Sequence, residues 1–285
     1  MLVNLKELCA VAEKRGIAVG GFNAVDIHSL RAVIRAAEEM DAPIAIMFAQ
    51  LHEQFTHIED VAALMLRYAK DASVPVCVQL DHGEDIDYVK KALDLGFTAV
   101  MIDGSGLPYE ENAAMTAQVV KMAREYGSSV EGELGSLGKR EYGDGASVGD
   151  DTKTYTDPQL AAQFIADTGI DALACSFGTT HGFYMSKPKL NLDIVRQIRA
   201  LSGDTPIVMH GGSGVSNEDL RRSIEAGVRK INYFTYMDRA GAAAVREHLA
   251  RWGEGEPLLT KLMVSAEKAM QEDVTKALEV FTVKA

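Results

Sequence analysis

Cysteine is scarce in this chain of 285 residues: Cys9, Cys77 and Cys175 are an odd number with no CxxC spacing. Each sits among apolar neighbours, the pattern of ordinary buried thiols, and such usage fits a reducing cytoplasm. Long apolar runs are also missing. No stretch approaches the roughly 18 residues of a spanning helix, and Met1-Leu2-Val3-Asn4-Leu5-Lys6-Glu7 lacks a basic start followed by an apolar segment, so membrane insertion and secretion are disfavoured. Positive charge is in deficit, 29 Lys and Arg against 41 Asp and Glu for a net charge of −12, with no local basic patch. That balance repels phosphate backbones and anionic headgroups and argues against nucleic acid and membrane partners. Apolar residues at 47% and charged residues at 25% are those of a globule with a large core, and they exclude disorder of the chain as a whole.

What is present is an alternation. Short Val- and Ile-rich runs at Ala18–Asn23, Pro43–Ala49, Val74–His82, Ala99–Gly104, Ser129–Gly135, Ala172–Gly178, Pro206–Gly212 and Lys230–Thr235 read as eight strands. Segments with 3.6-residue apolar spacing fall between them: Ser29–Met40, Ile58–Ala72, Asp85–Leu95, Glu110–Tyr126, Pro158–Thr168, Leu192–Leu201 and Glu218–Ala226, with helical sequence again after Phe234. Strands alternating with helices predict parallel βαβ units, and eight of them in one chain predict an α/β fold, a single (β/α)8 TIM barrel spanning 1–285. An extra helix at Leu5–Lys14 is expected to cap the bottom of the barrel. The stripe Met263, Ala266, Met270, Val274 and Leu278 within Leu258–Val280 predicts a packed C-terminal helical extension. The glycine-rich, polar segment Ser136–Tyr155 reads as a functional loop.

Barrel active sites lie at the C-terminal ends of the strands. Those ends carry Asp81-His82-Gly83, Glu131-Gly132-Glu133, His181-Gly182 and His210-Gly211-Gly212-Ser213-Gly214. His82, His181 and His210 therefore converge on one mouth beside Glu133, and three imidazoles with an open fourth position suit a catalytic Zn²⁺ or another divalent metal. His28, His52, His57 and His248 lack that placement and read as helix or surface residues, although His52 does follow the second of the eight strands. Glycines around Ser213 leave backbone N–H groups free to bind phosphate, with Asn232 and Thr235 reaching the same corner.

With Leu80-Asp81-His82-Gly83, Met101-Ile102-Asp103-Gly104-Ser105, Glu131-Gly132-Glu133-Leu134-Gly135, Tyr155-Thr156-Asp157-Pro158, His181-Gly182-Phe183-Tyr184, His210-Gly211-Gly212-Ser213-Gly214 and Lys230-Ile231-Asn232 in order, the sequence resembles the class II, metal-dependent ketose-bisphosphate aldolases along nearly its whole length. The resemblance implies His82, His181 and His210 as zinc ligands and Glu133 as a contact for an alternate metal position. It implies Asp81 as the proton carrier at the C4 oxygen and Glu141 as the carboxylate that handles the carbon-bound proton. Gly182, Gly211, Gly212 and Ser213 are implied around a monovalent cation (Na⁺ or K⁺) and the triose phosphate, Asn23, Asn232 and Thr235 as further triose ligands, and Asp103 as a support behind the metal ligands. The implied partner is a small phosphosugar, and the implied assembly is a homodimer or homotetramer in the cytoplasm.

The sequence also departs from the family pattern. Strand eight reads Asn232-Tyr233-Phe234-Thr235-Tyr236, with Phe234 where a small or acidic residue is usual. Ala49 stands where a serine often helps hold a distal phosphate, Met185 where a lysine is common, and Lys139-Arg140 where a glycine and an acidic residue are expected. Fructose 1,6-bisphosphate is thus the default substrate, with tagatose 1,6-bisphosphate, another ketose 1-phosphate or a sugar-acid phosphate as alternatives. Two other classes are a Schiff-base aldolase using Lys230 and a non-catalytic phosphosugar-binding barrel.

Overall fold

The structure is a computed structural model in which residues 1–135, 155–184, 186–252 and 255–282 are described. Eight parallel strands close into a barrel: β2 (Val19–Asn23), β3 (Ile44–Ala49), β4 (Val76–Gly83), β5 (Ala99–Ile102), β6 (Ser129–Leu134), β7 (Ala172–Cys175), β8 (Ile207–Met209) and β9 (Val228–Tyr233). Closure is made where β2 pairs with β9, Val19 opposite Lys230 and Gly21 opposite Asn232. Helices α2 (Ile27–Glu39), α3 (Ile58–Asp71), α4 (Ile86–Asp94), α5 (Tyr109–Glu125), α6 (Pro158–Thr168), α7 (Leu192–Ser202) and α8 (Asn217–Ala226) follow in alternation. Several start on a side chain that accepts from the first turn, as Asp26, Asp85, Asp157 and Ser216 do.

Helix α1 (Leu5–Arg15) closes the floor as expected, packing Leu5, Leu8, Cys9 and Ala12 against Ala45, Cys77, Ala99, Ala172 and Val208. These residues stand on alternate strand positions, so the two-residue period carries successive layers up the interior. Above the apolar floor come Gln79, Glu131 and Lys230, then Asn23, Asp81, Glu133 and Asn232, all buried. The ninth strand, β1 (Leu2–Val3), pairs beside the foot of β4 and is too short to register as an apolar run. Helix α9 (Thr235–Trp252) and α10 (Leu259–Phe281) complete the chain's described part. Ala266, Met270, Val274 and Leu278 of α10 are buried as the stripe predicts, while Met263 is half-buried.

Strand ends differ from the sequence expectation, and glycine is the cause. Strands β7 and β8 stop at Cys175 and Met209, ahead of Gly178 and Gly211, whose φ values of +118° and +66° lie outside the extended region. A Cβ on Gly211 would overlap the carbonyl of Thr180. His181 and His210 are consequently loop residues, and Thr235 opens α9 rather than ending a strand. No helix among the described residues is long and apolar enough to cross a membrane.

Candidate active site

Consecutive strand residues face opposite sides, so Asp81 inside the barrel would put His82 outside it. The β4–β5 pairing shifts register between Leu80 and Gly83, and His82 has φ +42°, which turns its ring into the mouth beside Asp81. A left-handed non-glycine residue of this kind costs about 1–3 kcal/mol, the sort of strain that collects at working sites.

The three histidines meet. His82 Nε2 lies 3.2 Å from His181 Nε2 and 3.0 Å from His210 Nδ1, and His181 Nε2 lies 3.3 Å from His210 Nδ1. Three ring nitrogens in a triangle cannot all donate to one another, yet they match a tetrahedral cation, whose nitrogens at bond lengths of 2.0–2.1 Å sit about 3.3 Å apart. Behind the triangle, His82 Nδ1 meets Asp103 Oδ2 at 3.0 Å and His210 Nε2 meets Glu131 Oε1 at 2.7 Å. Carboxylates on the far nitrogens claim the ring protons and leave the near nitrogens bare for a metal.

Electrostatics point the same way. Burial opposes charge on His82, but Asp81, then Asp103 and Glu133, outweigh it and raise its pKa to about 10, so the pocket favours positive charge at this point. Burial, reinforced by Asp103, pushes Glu133 up to about 8. Among the described residues its Oε2 has no hydrogen-bond partner, and it lies 3.9 Å from His82 Nδ1 and 3.8 Å from His210 Nδ1. Burial would raise Asp103, yet the His82 contact and two Ser105 hydrogen bonds hold it well below the usual carboxylate range. His82, His181 and His210 form one set able to hold a metal; His82, Asp103 and Glu133 form a second.

A cavity of about 30 Å³ beside the triangle is lined by Asn23, Asp81, His181, Gly182, Gly211, Ser213, Asn232, Phe234 and Thr235, with Met47 and Tyr233. Ser213 Oγ accepts from the N–H groups of Phe234 and Tyr236 at 3.1 and 3.5 Å. Tyr184 donates to the Gly211 carbonyl at 2.8 Å and ties the two glycine loops together. Larger grooves lie along α9 and α10 (about 690 Å³) and under the floor (about 610 Å³), but among the described residues neither has convergent buried ligands.

Of the residues singled out from sequence, Asn23, Asp81, His181, Gly182, Gly211, Ser213, Asn232 and Thr235 line this space, and His82, His210, Glu133 and Asp103 stand beside it in the two ligand sets. Gly212 does not line it; a Cβ there would press on Ile231 and the Asn232 carbonyl. Glu141, Lys139, Arg140 and Met185 lie outside the described residues. His52 is not a surface residue: it is buried, its ring lies tilted against Phe234 with centroids 5.0 Å apart and contacts Phe48 and Phe55, and burial lowers its pKa to about 4. Lys230 is wholly enclosed, its Nζ 2.8 Å from Glu131 Oε2, so it does not offer the open amine of a Schiff base. Sequence reasoning overlooked Glu131 itself; its place two residues before Glu133, on the same inward face of β6, was the available signal.

Residues 3–285 match the model of the family described as fructose-bisphosphate aldolase class-II. The fructose-bisphosphate aldolase of Staphylococcus aureus (strain Mu50) is 38% identical over 253 residues, 87% of this chain and 86% of that protein, and the protein of the same name from Staphylococcus epidermidis is 37% identical over the same length. The crystal structure of the YdjI aldolase from Escherichia coli K12 superposes with a TM-score of 0.87 at 32% identity, covering 99% of this chain and 97% of that one. With a histidine triangle at the mouth of a closed barrel and matches of this extent, the chain belongs to the class II fructose-bisphosphate aldolase family.

Proposed function

We propose that this chain is a zinc-dependent lyase that reversibly cleaves a ketose 1-phosphate or 1,6-bisphosphate to dihydroxyacetone phosphate and an aldehyde, with fructose 1,6-bisphosphate as the default substrate. The observation that carries this reading is the convergence of three imidazole nitrogens within 3.3 Å of one another beside the buried carboxylate of Asp81. His82, His181 and His210 would hold the ion, with Glu133 as the ligand of an alternate position. A divalent cation there supplies Lewis-acid stabilisation for the charge that develops on the C2 oxygen as the C3–C4 bond breaks.

The remaining work falls to the chain. Asp81 takes the proton from the C4 hydroxyl as that oxygen becomes the aldehyde carbonyl, and returns it in the condensation direction. Asn23 Nδ2 and Asn232 Nδ2, at 3.1 and 3.3 Å, hold the two carboxylate oxygens in place. Gly182, Gly211, Ser213 and Thr235 receive the triose phosphate beside a monovalent cation, and Gly212 shapes that turn. Glu141 exchanges the carbon-bound proton. The enzyme works as one barrel domain over 1–285, as a cytoplasmic homodimer or homotetramer.

A second reading concerns the distal end of the substrate. Ala49 pairs directly with Asp81 in the β3–β4 register, and Phe234, packed against His52, forms a wall of the cavity. This favours a ketose 1-phosphate whose far end carries a hydroxyl or carboxylate rather than a second phosphate.

Release of dihydroxyacetone phosphate by the zinc-loaded enzyme from fructose 1,6-bisphosphate, tagatose 1,6-bisphosphate and fructose 1-phosphate tests both readings. Release from none of the three would refute the aldolase assignment for these sugars, and a strong preference for fructose 1-phosphate would support the second reading over the default.

A further inference from the structure

We infer that Lys230 is a positioning residue, one that fixes the catalytic carboxylate of Asp81 through the amide of Asn232 and couples it to the histidine triangle. The inference rests on the aldolase reading above. Lys230 is fully buried, and its Nζ donates to Asn232 Oδ1 at 2.7 Å and to Glu131 Oε2 at 2.8 Å. Asn232 Nδ2 in turn donates to Asp81 Oδ1 at 3.3 Å. On the other side, Glu131 Oε1 meets His210 Nε2 at 2.7 Å. An unbroken chain of contacts therefore runs from His210 through Glu131, Lys230 and Asn232 to Asp81.

The chemistry of the donors sets the direction of every link. An ammonium group can only donate, so the Asn232 atom facing Lys230 has to be the oxygen, and the amide nitrogen is left pointing at Asp81. A flipped Asn232 would aim its NH₂ at the ammonium and its carbonyl at the carboxylate, two repulsive contacts in place of two attractive ones. The orientation thus follows from charge alone. Asn23, the other amide on Asp81, has no such enforcement: its Oδ1 is buried without a partner among the described residues. Only the Asn232 side of the carboxylate is locked.

Stability does not explain a charged pair at this depth. Desolvating Glu131 and Lys230 costs much of what their attraction returns, and apolar residues of similar volume commonly serve a core equally well. What apolar residues cannot do is orient Asn232 on one side and the His210 ring on the other. Lys230 does not line the cavity and touches no reacting atom, so its effect is on the aim of Asp81, where a misplacement of about 1 Å costs on the order of 100-fold in rate.

The test uses the metal-loaded full chain carrying Lys230→Met, with the double variant Lys230→Met, Glu131→Gln beside it in case the unpaired buried carboxylate prevents the single variant from folding. In the double variant the glutamine oxygen still accepts from His210 Nε2, and Gln79, whose Oε1 has no partner among the described residues, can turn to accept from the new amide. Three quantities are read: bound zinc per chain, exchange of the carbon-bound proton of dihydroxyacetone phosphate, and kcat for carbon–carbon cleavage of whichever ketose phosphate the wild type cleaves. Only cleavage needs Asp81. The expected result for Lys230→Met is a fall of about 30- to 100-fold in cleavage kcat, with zinc content and proton exchange within about threefold of wild type; the double variant, in which Glu131→Gln itself weakens zinc binding, is assayed at saturating zinc and should show the same fall of about 30- to 100-fold in the ratio of cleavage to exchange. Cleavage within threefold of wild type, or a parallel fall in exchange and cleavage, would overturn the positioning role. A wild-type enzyme that performs neither reaction would instead overturn the aldolase reading, and this inference with it.

Discussion

Glu131 Oε1 and His210 Nε2 lie 2.7 Å apart, and both side chains are completely buried. Burial would raise the Glu131 pKa, but Lys230 and the hydrogen bond to His210 hold it well below the usual carboxylate range. The carboxylate accordingly fixes the His210 proton on Nε2 and frees Nδ1 toward the other two histidines. Glu131→Gln, which keeps an acceptor but loses the charge, is expected to weaken zinc binding about 10- to 100-fold. Competition against a chelator of known affinity measures this, and unchanged affinity would mean that the contact does not tune the ligand.

Asp81 lies beside the ligands without belonging to the triangle, so its removal separates chemistry from binding. Asp81→Ala should retain one zinc per chain and its affinity for dihydroxyacetone phosphate while cleavage kcat falls about 10²- to 10⁴-fold. If zinc is lost as completely as from a histidine variant, Asp81 supports His82 and the proton-transfer role is misassigned.

Ala49 stands next to Asp81 in the β3–β4 register, which on the proposed reading brings it toward the part of the substrate beyond C4. A hydroxyl at that position supplies one donor to a distal phosphate, and a hydrogen bond to a charged group is worth about 1.5–3 kcal/mol. Ala49→Ser should therefore raise kcat/KM for fructose 1,6-bisphosphate relative to fructose 1-phosphate by about tenfold or more. A ratio that does not move would place the distal determinant elsewhere.

Helix α1 is a floor and not part of the catalytic machinery. Leu8 is fully buried in the cluster that seals the barrel, so Leu8→Ala should destabilise the protein by about 2–5 kcal/mol and leave KM and kcat at 25 °C within about twofold of wild type. Denaturant melts and steady-state kinetics check the two halves separately.

The barrel was legible because two sequence periods, 2 and 3.6, alternate along the chain, and the histidines were legible because glycines mark the strand ends they follow. The pairing of Glu131 with Lys230 was not legible. It joins β6 to β9, strands that meet only through the interior of a closed barrel, and no local pattern records that closure. His52 was read as a helix or surface residue because a 3-10 turn at Gln50–Gln54 folds it back under Phe234, a contact between residues far apart in sequence. His82 was assigned to the mouth by its place at a strand end, whereas strict alternation would have turned it outward; the register shift and positive φ that bring it in appear only in three dimensions.

Titration of chelator-stripped protein with zinc, following bound metal and cleavage activity together, bears most directly on the histidine triangle. Activity should be absent in the stripped protein, rise in proportion to metal and level off at one equivalent per chain, and His210→Ala should show neither the binding nor the activity. Full cleavage by metal-free protein, or inactivation by borohydride in the presence of substrate, would contradict a metal centre at His82, His181 and His210.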